Sequence, residues 1–277
     1  MAVTVLESQM TSMSLLEPPF EDVAVGAIIR SVGRCLFQMT GLLVLIATLG
    51  TDTMQRTALM SITWWAWIMV PATFVLYPID VESFAGGYFE VGTQRYLACL
   101  GVLAWVGHGL LDEDCVLHPD LHPTASETAL LPSAGARRLA KGLRVHGIVS
   151  AVLSCAGIFR AGSIPDLAKQ PTDVARALVN IFANVEVMSM VLGYLMIAAS
   201  QNGTVRLQRA AALWTLANMW ILLPLLYFFY PTANGFFLSG VPPALLVSVS
   251  VHSIPLVWGL MSKDVFRAPQ KPGLALP

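Results

Sequence analysis

The sequence predicts an all-α fold: a polytopic transmembrane bundle of seven helices, with 1–277 forming a single domain. Three observations lead there. Of the 277 residues, 56 % are hydrophobic and only 12 % are charged, against about 25 % charged in an ordinary globular chain. The mean hydropathy is +0.67. The apolar residues are also gathered into stretches of about 20, the length that a helix needs to cross a hydrocarbon core. A soluble fold needs polar surface to cover its core, which argues against a soluble enzyme. Lys and Arg number 16 against 17 Asp and Glu, which leaves no basic excess to hold a nucleic acid.

The spans follow in order from the apolar runs. They are expected near 33–50, 57–79, 96–111, 145–164, 177–200, 210–230 and 236–261. The second carries no charge, the fourth is interrupted by Arg160, and the seventh carries Pro242, Pro243 and Pro255. The N-terminal stretch lacks a basic segment followed by a long apolar one, so no cleaved signal peptide is expected. The longest loop is expected over 112–144, and no internal repeat is expected, which weighs against a carrier built from two related halves. The four cysteines include no CxxC pair and are expected to pack as small apolar residues.

Seven spans place the termini on opposite sides. Arg30, Arg34, Arg95, Arg160, Lys169 and Arg176 fall on the N-terminal side, and the other ten of the 16 basic residues fall on the C-terminal side. The positive-inside rule therefore predicts a lumenal N-terminus and a cytosolic C-terminus. The sequon Asn202-Gly203-Thr204 would then face the cytosol and stay unmodified.

Glu186 is the leading candidate for chemistry. It stands in the middle of the fifth span, where a carboxylate is costly and faces the bundle interior. A carboxylic acid held neutral in an apolar site is a proton donor in reserve. Asp80 and Glu82, just after Tyr77-Pro78, are expected at the lumenal mouth as a second acid or a base. His252 in the seventh span is a candidate base or proton relay. Trp67, Tyr77, Tyr194 and Trp220 are rings that could line a pocket, where a π-face stabilises a cation. Asn218 in the sixth span could touch substrate. Packing, an interfacial belt and helix–helix bonding compete with these roles. The run 112–122 has metal-ligand residue types, but its spacing matches no zinc signature, and no metal site is assigned.

Several segments carry a family resemblance. Leu76-Tyr77-Pro78 is followed by Glu82 and Gly86-Gly87-Tyr88-Phe89. Val187–Trp214 includes Gly193 and a short Ser200–Thr204 loop. Tyr230-Pro231 is followed by Phe236-Phe237-Leu238-Ser239 and Pro242. Together they resemble the fungal integral-membrane terpene cyclases of meroterpenoid and indole-diterpene biosynthesis. The resemblance implies an enzyme of the endoplasmic reticulum that protonates an epoxide on a prenylated substrate and cyclises it, an isomerase or lyase type of chemistry. It implies no cofactor, because the strained ring carries its own leaving group. Its partners would be an apolar prenylated small molecule, the bilayer and an upstream epoxidase in the same membrane. The family's acid in the second span is replaced here by Val70, and Val251 and His252 stand where it carries an Asp in the last span. Glu186 is the expected replacement acid, with Asp80 or Glu82 next. The alternatives are a sterol-type double-bond isomerase and a non-catalytic lipid-binding or transport protein.

Overall fold

The computed structural model describes residues 23–78, 84–112, 133–163, 172–222, 243–262 and 265. Among them the fold is all-helical, with seven helices and no strand. Helix α1 is Val23–Leu49 and α2 is Asp52–Leu76, which contains a π-helical turn at Trp65–Met69. Helix α3 is Phe84–Asp112, and α4 is Ala134–Arg160 with a 3-10 turn at Ala161–Ser163. Helix α5 is Thr172–Asn202, α6 is Val205–Ala217 followed by a π turn at Asn218–Leu222, and α7 is Pro243–Leu260. Among the described residues, three helices are long and apolar enough to cross a membrane, at Asp52–Leu76, Ala134–Ser163 and Ala175–Asn202. Shorter apolar helices run over Gly33–Leu49, Leu97–Leu111 and Val249–Leu260.

Helices α1 to α6 begin five or more residues before the apolar runs that predict them, because caps set helix starts and hydropathy does not. Helix α4 shows this clearly. The expected loop over 112–144 is helical from Ala134, since the Ser133 hydroxyl accepts from the Ala136 N–H at 3.1 Å and caps the first turn. Arg137, Arg138, Lys141 and Arg144 thus ride on the first three turns of a helix and are exposed.

The expectation that no internal repeat exists is overturned. Gly50, Thr51, Gln55, Arg56, Ala58, Trp67, Ile68, Pro71, Tyr77 and Pro78 recur 153 positions later as Gly203, Thr204, Gln208, Arg209, Ala211, Trp220, Ile221, Pro224, Tyr230 and Pro231. The structure repeats with them. The α-helical part Asp52–Trp64 matches Val205–Ala217, and the π turn Trp65–Met69 matches Asn218–Leu222.

The hydrogen bonds of the two turns also correspond. The Gly50 N–H donates to Ile46 O and the Gly203 N–H to Ala199 O, each at 2.9 Å. The Gln55 amide donates to Ala47 O and Gly50 O, and the Gln208 amide donates to the matching Ser200 O and Gly203 O. Arg56 donates to Leu111 O at the end of α3, and Arg209 donates to Val265 O beyond α7. The segments 50–78 and 203–231 are therefore related in sequence, and by chain order α1–α3 and α5–α7 are the corresponding three-helix units on either side of α4. A short polar segment in an apolar chain hides such a repeat, because most matched positions hold interchangeable aliphatic residues. It becomes visible once the helix breaks are superposed.

The π turns have a local cause. A proline in a regular helix lacks an N–H and clashes with the carbonyl one turn back. In α2 the π turn widens the helix just before Val70-Pro71, so the ring is accommodated without a sharp break. Pro224 stands at the matching distance after Asn218 in sequence.

The core lies where α1, α2, α5 and α6 meet, with Leu42, Ile46, Met54, Leu195, Met196 and Leu207 almost wholly buried. Helix α4 packs along α5 and α7. Small residues let it approach closely: a Cβ on Gly147 would strike Gly193 O and Ile197, and one on Gly193 would lie 2.7 Å from Gly147 O. Gly142 meets the Pro255 carbonyl of α7 in the same way.

Candidate functional site

Helix α4 carries a polar stripe. His146, Ser150 and Ser154 recur every four residues, so they share one face, and all three are buried. His146 Nδ1 lies 2.8 Å from the carbonyl oxygen of His252 on α7. A carbonyl only accepts, so Nδ1 carries the proton and Nε2 of the neutral ring is left as an acceptor. Ser150 Oγ lies 3.1 Å from His252 Nδ1, and the two imidazoles meet edge to face with centroids 5.6 Å apart.

Glu186 on α5 closes the other end of the stripe. Its carboxyl group stands beside the Ser154 hydroxyl and lies over Gly157, where a Cβ would stand 2.7 Å from Cδ and 3.0 Å from Oε2. Glycine at 157 is what makes room for the carboxyl group. One turn further along the chain, Ser189 Oγ meets Cys35 Sγ of α1 at 3.6 Å. The guanidinium of Arg34, next to that cysteine, interacts electrostatically with both Glu186 and His252. An acid, two imidazoles, three hydroxyls and one cation thus line the contacts of α4 with α5 and α7 and of α1 with α5.

Of the residues singled out from sequence, Glu186 and His252 fall in this cluster. Trp220 and Asn218 stand in the π turn that follows α6. Trp220 donates its indole N–H to Ser253 Oγ at 2.7 Å. It also lines an open apolar groove of about 510 Å³ with Ser250, Ser253, Ile254, Val257, Trp258 and Met261, on the side of α7 away from His252. Asn218 is 2 % exposed, and neither its amide nitrogen nor its oxygen has a hydrogen-bond partner.

Other candidates stand elsewhere. Trp67 lays its indole on Gly101 of α3 and is 43 % exposed. Tyr194 is 52 % exposed on the outer face of α5. The Tyr77 hydroxyl donates to Ile158 O at 2.6 Å, which ties the end of α2 to α4. Asp80, Glu82 and residues 113–122 lie outside the described residues. Among the described residues, no group of three or more His, Cys, Asp or Glu is placed to hold a metal.

Asn180 and Asn184 join helices. Asn180 donates to Thr73 O at 3.2 Å and Tyr77 O at 2.9 Å, and Asn184 accepts from the Thr73 hydroxyl at 3.0 Å. Sequence reasoning missed Arg34, His146, Ser150, Ser154 and Gly157. The signal was present as His-x3-Ser-x3-Ser, a polar line at helical spacing within an apolar segment. Compared with known proteins, the chain matches no family model, no curated protein and no solved structure.

Proposed function

We propose that this chain is an integral membrane enzyme of seven spans, lumenal at its N-terminus and cytosolic at its C-terminus, in the endoplasmic reticulum. It acts as a cofactor-independent terpene cyclase on a prenylated substrate bearing an epoxide. The observation that carries this reading is the line Glu186–Ser154–Ser150–His252, whose two serines are buried between a half-buried carboxyl group and a half-buried imidazole, so that an acid and a base stand along one face of α4.

In the proposed reaction Glu186 gives its proton to the epoxide oxygen, and the C–O bond breaks to leave a hydroxyl and a carbocation. The Arg34 guanidinium stabilises the carboxylate that forms, which lowers the barrier where charge develops. A double bond or hydroxyl of the substrate closes the ring on the cation. His252 then takes the proton that is lost, and proton exchange with the surroundings restores Glu186. The product has the mass of the substrate. Positioned acids of this kind contribute about 10²- to 10⁴-fold in rate.

The test uses microsomes that carry wild type, Glu186→Gln or Asp80→Asn at matched protein levels, each given epoxy-prenyl aromatic compounds. The expected result is an isomer of unchanged mass that is lost in Glu186→Gln alone. Loss in Asp80→Asn with survival in Glu186→Gln would move the acid to the mouth of the bundle. No isomer from any substrate would sink the cyclase reading.

The internal repeat favours a second reading, a carrier, since parallel repeats recur among transporters with substrate sites between the halves. The distribution of polar groups favours the enzyme. The positions that match Glu186 and His252 in the first unit hold Gly33 and Cys99, so the chemistry is gathered beside α4 and is not shared by the two units. A carrier would move unaltered substrate into proteoliposomes and survive Glu186→Gln without any change of product.

A further inference from the structure

The two π turns begin at matching positions, Trp65 and Asn218, and each of these side chains holds a buried nitrogen with no hydrogen-bond partner. π turns gather at functional sites, and the replacement of an indole by an amide makes the second turn the polar one. Asn218 is 2 % exposed and keeps both a donor, Nδ2, and an acceptor, Oδ1, unmatched. Another unmatched atom is a buried donor, Nε of Arg34.

These atoms lie at the same depth. Thr204 at the start of α6 donates to Leu49 O at the end of α1, so the two helices run antiparallel. Trp214 of α6 donates to Gln38 O of α1 at 3.1 Å. One turn beyond Trp214 is Asn218, and one turn before Gln38 is Arg34, so the two are level. The next two residues of α6, Met219 and Trp220, both contact Ser253, the neighbour of His252. Arg34, Asn218 and His252 therefore lie at one level of the bundle, and Glu186 is one turn from Ser189, which meets Cys35, the neighbour of Arg34.

Buried polar groups in native proteins are normally paired, and an amide edge has a definite complement. Oδ1 wants an N–H or O–H, while Nδ2 and the Arg34 Nε both want an oxygen. We propose that Asn218 and Arg34 anchor the polar head of the apolar substrate, and that this head presents a carbonyl oxygen beside an N–H or O–H donor, as in a carboxylic acid, a primary amide or a vinylogous acid. Two donors converge on the carbonyl, and Oδ1 receives the proton of its neighbour. The prenyl part is then directed away from the anchor, toward Glu186. The proposal rests on the enzymatic reading and adds the substrate's head-group class to it.

The test measures binding without turnover, on the full chain in lipid nanodiscs, with two probes of equal chain length. Dodecanamide offers a carbonyl beside N–H donors, and methyl dodecanoate offers the carbonyl alone. Wild type is expected to bind dodecanamide at least tenfold more tightly, and Asn218→Leu is expected to bring the two to parity. The same variant should melt no lower than wild type, because an apolar isostere removes two orphaned polar atoms. A helix-bonding amide would behave in the opposite way. Equal binding of the two probes by wild type, or a lower melting temperature in Asn218→Leu, would overturn the proposal. Equal probe binding with Glu186-dependent turnover intact removes the head-group assignment alone. A retained preference without turnover removes the cyclase reading alone.

Discussion

Thr204 stands in the second three-helix unit where Thr51 stands in the first, and each ties the other's hairpin. The Thr51 hydroxyl donates to Asn202 O at 3.0 Å, and the Thr204 hydroxyl donates to Leu49 O at 3.3 Å. Each hydroxyl also accepts from the N–H three residues on, Met54 or Leu207, and so caps its own helix. The two bonds map onto each other under the 153-residue repeat, so the two turns exchange equivalent contacts. Replacing either threonine by valine removes a cap and a cross-tie together. Each single change is expected to cost about 1 kcal/mol of stability. Because the two threonines share one junction, the double variant should deviate from additivity, which distant sites would not do. Melting of the four species in one detergent reads the cycle directly. Strict additivity would mean that the turns fold independently.

Gly157 is placed to test whether Glu186 needs its present position. A methyl at 157 would press on the carboxyl group, whereas one at Gly109 meets nothing within 4 Å. Gly157→Ala is expected to cost about 1–3 kcal/mol of stability through overpacking. It should also lower turnover at least tenfold, since a shift of the acid by about 1 Å can cost on the order of 100-fold. Gly109→Ala should match wild type in both. Turnover unchanged in Gly157→Ala would separate the acid from this crevice.

Asn180 separates a structural amide from a functional one. Its amide satisfies two carbonyls at the end of α2, Thr73 O and Tyr77 O, while the residue is 1 % exposed. Asn180→Leu leaves both carbonyls without that donor. A loss of about 1–3 kcal/mol of stability is expected, with turnover per folded molecule unchanged. Normalising activity to correctly folded protein by size-exclusion chromatography distinguishes the two effects. A large fall in normalised turnover would bring Asn180 into the site.

The helical class and the approximate place of each helix are legible in the sequence because burial in apolar surroundings demands long apolar runs. Glu186 and His252 stand out for the same reason: a polar residue inside such a run is expensive and needs an explanation. What pairs with them is not legible. Hydropathy gives no rotation, so nothing in the runs says that Glu186 turns toward Ser154 and Gly157, or that Trp67 and Tyr194 turn outward. Arg34 looks from sequence like an interfacial charge near a span end, yet its Nε is buried. Helix α4 starts eleven residues before its apolar run, at 134 against an expected 145, because Ser133 and a basic first three turns can be helical without being hydrophobic. The repeat escapes detection because Gly-Thr-x3-Gln-Arg is short, and its meaning lies in which carbonyls the glutamines and threonines reach.

His252 and His146 should have separable roles. His252 faces the polar stripe through Nδ1, with Ser150 at 3.1 Å, whereas His146 is bonded to the backbone of His252 and is 2 % exposed. In the proposed mechanism protonation by Glu186 precedes any action of His252, so His252→Gln should still consume substrate. With the terminating base removed, the cation is left to other acceptors. The expected outcome is a shift from one isomeric product to a mixture that includes a water adduct 18 mass units heavier, with consumption reduced less than in Glu186→Gln. His146→Gln removes a buried bond to α7, so it should lower stability by about 1–3 kcal/mol while leaving the product ratio nearly unchanged. Ser150→Ala should fall between, shifting the ratio slightly, since it removes one partner of the ring without removing the ring. Mass spectrometry of the products from the three variants decides the matter. An unaltered product ratio in His252→Gln would take this histidine out of the reaction and leave the Glu186 carboxylate as the base that ends it.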